Sequence, residues 1–360
     1  MLSLIIFLGI LGVLIIVHEF GHFIVAKKTG VRVEKFSLGF GPAILKKKAG
    51  DTEYAVNLIP LGGYVKLAGD NLEEYKGKPD DYLSKKPGRR AAIIFFGSFL
   101  NYILGILFFW IVFFVGYPNL TTKVGSLVDN MGAKEAGILT GDKIIAIDGE
   151  KVALWEEMQK VIHPKKDGSV VRISLLRADK ELSLDARISA KEFNDILGKK
   201  RSIGLLGIAP GDEIVTVRHG IIEGFFLSVK KTWEITTLTY NGLWRMVTGK
   251  LSMRETMTGP IGIFIITSKV KGLGFIALMQ LMALLSISLA IFNMLPFPAL
   301  DGGHIALLAI EKIRGKYLSQ KAEQVLNRIG YTLIICLALV VTYNDVIKFF
   351  GDRIYKFFNR

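Results

Sequence analysis

The sequence predicts a helical membrane protein of about four transmembrane helices, with an inserted β-rich domain and a small membrane-associated β-hairpin. Its 360 residues are 51% hydrophobic and 11% aromatic. The mean hydropathy of +0.40 is higher than a soluble domain of this length requires. Four long stretches are almost free of charged residues. Between the second and the third lies a long segment in which apolar and polar residues alternate, as in strands.

The formal net charge of +14 suits either a nucleic acid or an anionic membrane surface as a partner. The sequence contains no basic run interleaved with aromatic residues, so the charge favours the membrane and we expect no nucleic-acid partner. The single cysteine, Cys336, excludes an internal disulfide framework.

Each apolar stretch is long enough to cross a hydrocarbon core of about 30 Å, which takes about 20 helical residues. The predicted spans are residues 1–26, 91–116, 273–300 and 329–350. A cleaved signal peptide is the alternative for the first span. Against it, the span lacks basic residues before its apolar core and a small-residue cleavage site after it.

Lysine and arginine in short loops predict the orientation, because these residues are enriched on the cytoplasmic side of a membrane. They are frequent in residues 27–90 and in the short link between the third and fourth spans. Both regions are therefore predicted to be cytoplasmic. An even number of spans then places both termini and the inserted domain outside the cytoplasm.

Two regions outside the spans are expected to lie at the membrane surface. Within residues 27–90, positions 31–68 alternate apolar and polar residues with many glycines, which predicts a small β-hairpin or sheet. Residues 222–257 contain tryptophans and phenylalanines among lysines and threonines, a composition typical of amphipathic helices in the interface. A fifth span over these residues is the alternative, and their charged side chains disfavour it.

Residues 122–217 are predicted to form a compact β-rich domain, because apolar and polar residues alternate on both sides of a turn at 178–180. The segment GDKIIAIDG at 141–149 resembles the strand and turn of PDZ domains. A later segment resembles the loop with which a circularly permuted PDZ domain would bind a peptide C-terminus through backbone N–H groups. This predicted peptide-binding loop is Ile203, Gly204, Leu205 and Leu206. The alternative is that the glycines only form turns.

The pentapeptide His18-Glu19-Phe20-Gly21-His22 lies at the end of the first uncharged stretch. Residues four apart on a helix share one face and lie about 6 Å apart along its axis. The two imidazoles can therefore bind one metal ion, with Glu19 beside it. Ionisable side chains in an apolar helix are costly and need a partner, which a metal ion provides. A chance match to a short pattern is the alternative, and the position within a membrane helix argues against it.

A catalytic zinc ion takes three protein ligands and leaves one position open. The candidates for the third ligand, at the end of the third span, are Asp301 and His304. Pro296 and Pro298 prevent a regular helix just before them. Irregular backbone at membrane depth is tolerated only where it lines a cavity or is buried in protein. The alternative is that Asp301 only caps the end of a helix. The presence of the histidine pair in the same chain argues against this alternative.

These motifs resemble the site-2 protease family of intramembrane zinc metalloproteases (peptidase M50), in particular the regulator of sigma-E protease type. The resemblance extends over nearly the whole chain. Its motifs are HEFGH at 18–22, FSLGFGP at 36–42, LIPLGGYVKL at 58–67, GPIGI at 259–263 and NMLPFPALDGGH at 293–304. HExxH alone is weakly specific, whereas its combination with NxxPxPxxDG in a later span is highly specific.

The resemblance implies a zinc metalloendopeptidase with one Zn²⁺ per chain, in which His18, His22 and Asp301 hold the metal and Glu19 is the general base. It also implies that single-pass membrane proteins of the bacterial cytoplasmic membrane, such as an anti-sigma factor or remnant signal peptides, are the substrates of regulated proteolysis. The hairpin would add the substrate as a β-strand. The implied substrate-binding residues are Asn293, Pro296, Pro298, Gly62, Gly63 and Tyr64.

Two features of the sequence depart from the family pattern. Better-known members carry two PDZ domains, whereas this chain has room for one. The second span reads GSFLNY at 97–102, where the family shows a Gly-Pro pair before the asparagine, although Asn101 is kept.

Two other classes of function stay open at the level of sequence. A non-catalytic PDZ-type membrane binding protein has no reason to place Glu19 between two metal ligands. A metal transporter would need further ionisable residues along a path, and the spans contain one compact cluster.

Overall fold

The structure, a computed structural model, describes residues 1–194, 197–198, 200–316 and 319–358. The chain forms two compact units. The first unit comprises residues 1–112, 221–243 and 252–360, and the second comprises residues 113–220 and 244–251.

The chain begins with helix α1 (Leu2–Lys28), followed by strands β1 (Val33–Ala49) and β2 (Thr52–Leu67) and helix α2 (Pro87–Val115). Helix α2 starts earlier than the predicted residue 91. Pro87 fits the first turn of a helix, where its missing N–H is not needed. Arg89 and Arg90 therefore lie in the first turn of the helix, whereas Lys85 and Lys86 precede it.

Strands β1 and β2 pair antiparallel in a small sheet. The strands bend, so residues 35–38 have Cα partners on both sides, in 63–66 and in 53–56. Within the described ranges, segment 63–67 has a strand partner on one side only. Gly62 adopts a φ of +111°, and an added Cβ there would lie 2.2 Å from the Phe40 ring, so this bend requires glycine.

The second unit is β-rich. Its main sheet has four strands in the order β6-β5-β7-β8, and the pairs β9–β10, β4–β11 and β3–β12 surround it. The elements are β3 (Tyr117–Leu120), β4 (Val124–Leu127), α3 (Gly132–Glu135), β5 (Lys143–Ile147), β6 (Glu150–Lys151), α4 (Trp155–Ile162), β7 (Val170–Arg177), β8 (Lys180–Arg187), β9 (Ser189–Asn194), β10 (Lys200–Leu205), β11 (Ile208–Pro210) and β12 (Ile214–Val217).

The alternation in β7 places Val171, Ile173 and Leu175 in the buried core of this unit. The hairpin to β8 turns at Ala178 and Asp179, both with positive φ, as two-residue hairpin turns require. The sequence alternation predicts this hairpin, and the structure contains it.

The C-terminal part of the chain is helical. Its helices are α5 (Ile221–Val247), α6 (Met253–Thr256), α7 (Pro260–Lys271), α8 (Phe275–Asn293), α9 (Asp301–Arg314) and α10 (Gln320–Phe358). Within the third apolar stretch, residues 273–300, a helix is followed by irregular backbone, as Pro296 and Pro298 predict. Helix α8 ends at Asn293, and a helix-free connection leads to α9, because Pro296 and Pro298 cannot continue the hydrogen bonding of α8.

Four helices of the described chain are long and apolar enough to cross a membrane. They are Leu2–Lys28, Pro87–Val115, Phe275–Asn293 and Gln324–Gly351. The protein is therefore a helical membrane protein with a β-rich domain, as predicted. Helix α5 is not one of the four. It buries small residues such as Ser228 and exposes Phe226 and Trp233, and its position in the membrane interface stays a prediction.

A buried carboxylate connects α7 to α10. Asp345, 1% exposed, accepts hydrogen bonds from the backbone N–H groups of Gly259 at 3.2 Å and Gly262 at 2.7 Å. These N–H groups begin a helix and have no partner within it. An added Cβ at Gly259 would lie 2.8 Å from the Asp345 carboxylate, which accounts for this glycine of the GPIGI motif.

Candidate metal centre

His18 and His22 lie on one face of α1, one helical turn apart. Their Nε2 atoms are 3.2 Å apart, and their rings are perpendicular, with centroids 4.8 Å apart. The helical repeat alone brings these two atoms together.

Asp301 reaches the histidine pair from the first turn of α9. Its Oδ2 lies 3.2 Å from Nε2 of His18 and 3.6 Å from Nε2 of His22. The next two residues allow this approach, since an added Cβ at Gly302 would lie 2.3 Å from the carbonyl oxygen of Met294. The Asp-Gly-Gly sequence thus packs the start of α9 directly against the connection from α8.

The three atoms form a triangle with sides of 3.2, 3.2 and 3.6 Å. Two ligands of a tetrahedral zinc ion, each about 2.0–2.1 Å from the metal, lie about 3.3 Å apart. The donor set therefore fits zinc in both chemistry and spacing. Within the described residues, His18, His22 and Asp301 are the group of three with ligand atoms this close. His304, the other candidate for the third ligand, is not in the group and lines a cavity with Arg90 and Glu311.

Hydrogen bonds orient the side chains of the triangle. Nδ1 of His22 is 2.9 Å from the carbonyl oxygen of Ile93 on α2, so the proton sits on Nδ1 and the Nε2 lone pair is free. The Ser98 hydroxyl, also on α2, is 3.4 Å from Oδ2 of Asp301. Helix α2 thus contacts ligands from both α1 and α9.

Glu19 lies between the site and the open edge of β2. An added Cβ at Gly63 would be 3.2 Å from its Cγ, and the Val65 backbone lies near its carboxylate. The sheet edge predicted to bind substrate therefore lies beside the predicted general base. Gly62, Gly63 and Tyr64 all belong to this strand.

The other predicted substrate residues lie on the side of α8 and α9. Nδ2 of Asn293 is 3.3 Å from Nε2 of His18. Pro296 and Pro298 form the connection that precedes Asp301. The carbonyl oxygen of Pro298 would lie 2.4 Å from a Cβ added at Gly330, so α10 packs closely on this turn.

The residues predicted to bind a peptide terminus belong to the second unit. Ile203, Gly204 and Leu205 lie in strand β10 rather than in a loop, and Leu206 is buried in the core. The Gly204 N–H donates to the carbonyl oxygen of His163 at 3.0 Å. A peptide carboxylate would have to compete for that N–H group, so peptide binding here stays a prediction.

Sequence reasoning gave no role to Gly97 and Ser98. An added Cβ at Gly97 would lie 2.4 Å from Nε2 of His22, so this glycine makes room for the imidazole. The spacing of small and polar residues in the second span, at 97, 98, 101 and 105, is the signal that could have found them, because small residues mark close helix packing in membranes.

The apolar helices and the His–His–Asp group define an integral-membrane protein with a site that fits zinc, and the family match and relatives that follow make the class an integral-membrane zinc metalloprotease. The profile of peptidase family M50 matches residues 6–337, and the chain belongs to that family.

Individual relatives agree with this class. The chain is 30% identical over 431 residues to the zinc metalloprotease RasP of Geobacillus kaustophilus, covering 97% of this chain and 98% of RasP. It is also 30% identical over 444 residues to the regulator of sigma-E protease RseP of Escherichia coli, covering 94% of this chain and 97% of RseP. Both alignments exceed the 360 residues of this chain, so both relatives contain segments that it lacks. A solved PDZ domain of an SdrC-like protein from Listeria innocua is 28% identical and covers 26% of this chain and 96% of that domain, with a TM-score of 0.21.

We expect Gly97→Ala to weaken zinc binding at least about tenfold, the scale seen when a ligand loses its orientation. The added methyl group would displace the His22 ring from the triangle. Gly88→Ala on the same helix is the matched control, because an added Cβ there has nothing within 4 Å. Competition with a chromophoric chelator measures both affinities. Equal affinities in the two variants would contradict the tight packing of α2 on His22.

Proposed function

We propose that His18, His22 and Asp301 hold the zinc ion of this metalloprotease, and that Glu19 is its general base in the hydrolysis of single-pass membrane proteins. The observation that supports this most directly is the triangle of ligand atoms, with sides of 3.2 to 3.6 Å. The side chains of His18, His22 and Asp301 are 9%, 14% and 18% exposed. The three side chains are therefore mostly buried but still partly accessible to solvent.

A bound zinc ion polarises the scissile carbonyl and makes water a nucleophile at neutral pH. Glu19 then accepts a proton from the attacking water and delivers it to the amide nitrogen of the leaving group. Asn293 holds an amide donor 3.3 Å from Nε2 of His18. From there it can donate to the oxygen on which negative charge develops.

The substrate has to be unwound before attack, because a transmembrane helix hides its carbonyl groups in internal hydrogen bonds. We propose that the open edge of segment 63–67 binds the unwound chain as an added strand. The position of Gly63 beside Glu19 supports this, since a strand added there would run past the general base. Pro296 and Pro298 would shape the opposite wall of the cleft.

The remaining proposals concern topology and substrates. We propose that the protein lies in the bacterial cytoplasmic membrane with the hairpin inside and both termini and the β-rich domain outside. The surplus of lysine and arginine in residues 27–90 supports this orientation. An anti-sigma factor or a remnant signal peptide is the proposed substrate class. We also propose that the β-rich domain is PDZ-like and binds a peptide terminus near Ile203–Leu206.

Removal of zinc tests the proposed chemistry. Full-length protein in detergent, incubated with a tagged single-pass substrate, should lose cleavage after chelation and regain it with about one zinc ion per chain. Mass spectrometry of the products should place the cut within the apolar segment of the substrate. Cleavage that persists in zinc-free protein, or a cut confined to the soluble part of the substrate, would contradict the proposal.

A further inference from the structure

Asn101 is a fully buried polar residue on α2 for which the proposed reaction has no role. Its residue exposure is 0%, and that of Ser286 on α8 is also 0%. The Ser286 hydroxyl donates to the backbone carbonyl of Asn101 at 2.7 Å. This bond fixes α2 to α8 at the level of the site, so the Asn101 side chain has a defined position.

The Asn101 amide faces the ring of His18. Its Nδ2 is 3.5 Å from Nδ1 of His18, while its buried Oδ1 has no hydrogen-bond partner. Buried amide oxygens in folded proteins are almost always paired. An amide with one end unpaired and the other beside a ring nitrogen therefore needs an explanation.

The protonation of His18 supplies that explanation. Its Nε2 points at Oδ2 of Asp301 and Nε2 of His22, so Nε2 is the metal-binding atom and must lack a proton. In the neutral ring the proton is then on Nδ1, which becomes a donor. A donor cannot pair with an amide NH₂ group, but it can pair with an amide oxygen.

We infer that Asn101 is a positioning residue whose Oδ1 accepts the Nδ1–H of His18 and thereby holds His18 in the tautomer that binds zinc. A half-turn about the Cβ–Cγ bond exchanges Oδ1 and Nδ2 without changing the shape of the side chain. That exchange gives the oxygen a partner and removes the donor–donor contact, and it turns the NH₂ group to the position that Oδ1 occupies in the structure. The inference rests on the proposed role of His18 as a zinc ligand.

The arrangement matches that of the second histidine. Nδ1 of His22 meets the carbonyl oxygen of Ile93, and His18 is also within hydrogen-bonding reach of the Gly97 backbone. Ile93, Gly97 and Asn101 are four residues apart, so one face of α2 orients both imidazoles. Such partners of metal-binding histidines typically change the affinity for the metal by about 10–100-fold.

Zinc affinity of the full-length protein in detergent tests the inference without a cleavage assay. Asn101→Leu, which keeps the size but removes the acceptor, should bind zinc about 10–100-fold more weakly than the wild type. Asn101→Asp, which keeps only acceptors, should bind at least as tightly as the wild type. Tyr102→Phe is the matched control on α2, because Tyr102 contacts Thr236 instead of the site. The visible spectrum of the Co²⁺-substituted protein should change in Asn101→Leu and stay as in the wild type in Asn101→Asp.

The possible outcomes separate the proposed metal site from the role of Asn101. A wild-type protein that binds no zinc would refute the proposed metal site itself. Wild-type affinity in Asn101→Leu would mean that the Gly97 carbonyl alone orients His18, and the inference would be wrong. If Asn101→Leu does not fold, Asn101→Asp decides, because weak zinc binding by a folded Asp variant overturns the acceptor role.

Discussion

The Glu19→Gln protein should bind about one zinc ion per chain and cleave no detectable substrate. Glutamine keeps the size and hydrogen-bonding reach of glutamate but cannot accept a proton. General acid–base catalysis contributes about 10²–10⁴-fold to a rate, so the cleavage rate should fall at least about 10²-fold. Because the metal ligands are His18, His22 and Asp301 in this proposal, the zinc content should not change.

Glu34→Gln is the matched control for this substitution. Glu34 lies on β1 and pairs with Arg32 at 3.3 Å, so its loss removes a carboxylate without touching the site. Single-turnover cleavage of a tagged substrate and zinc content by atomic emission provide the two measurements. A Glu19→Gln protein that cuts at a rate near that of Glu34→Gln would remove Glu19 from the role of general base.

Asp301→Ala should lose zinc, and with it all cleavage. Removal of the carboxylate leaves two of the three protein ligands that a catalytic zinc ion requires. It also removes the negative charge that lies 3.2 and 3.6 Å from the two histidine nitrogens. We expect near-background zinc content after dialysis, compared with about one ion per wild-type chain.

His304→Ala is the matched control, one helical turn further along α9. The sequence offers both His304 and Asp301 as candidates for the third ligand. In the structure, His304 lines a cavity with Arg90 and Glu311 and does not belong to the group formed by His18, His22 and Asp301. Its replacement should leave the zinc content and the cleavage unchanged. The reverse result, with zinc lost in His304→Ala and kept in Asp301→Ala, would show that the third ligand has been assigned wrongly. Thermal unfolding of both variants in detergent checks that each is folded.

The membrane class and the β-rich insertion could be predicted from composition and periodicity, because a long uncharged stretch and a period of two leave few alternatives. Helix ends were harder. Helix α2 begins at Pro87, before the predicted residue 91, because proline fits the first turn of a helix. Composition defines the apolar part of a helix, whereas its ends depend on individual hydrogen bonds.

Residues that support the site were hidden for a different reason. Gly97, Ser98 and Asn101 lie in a span where small and polar residues could serve helix packing alone. Their distances to His22, Asp301 and His18 exist only once three helices are packed together. Gly204 is a case in which the sequence suggested a feature that the structure does not contain. It was predicted to lie in an open loop, but it lies in a strand and its N–H group is already hydrogen-bonded.

The sequence by itself determined that His18, Glu19 and His22 share one region of a membrane helix, since the helical repeat acts over four residues and needs no other part of the chain. Only the tertiary structure brought the Asp301 carboxylate within 3.6 Å of both histidine nitrogens, placed Asn293 beside a histidine 275 positions away, and set the open strand edge against Glu19. Those placements depend on many weak contacts between distant helices, made possible where Gly97 leaves room for the His22 imidazole and Gly302 lets two backbones approach. Local patterns in a sequence do not predict the combined effect of these contacts, because each contact depends on all the others.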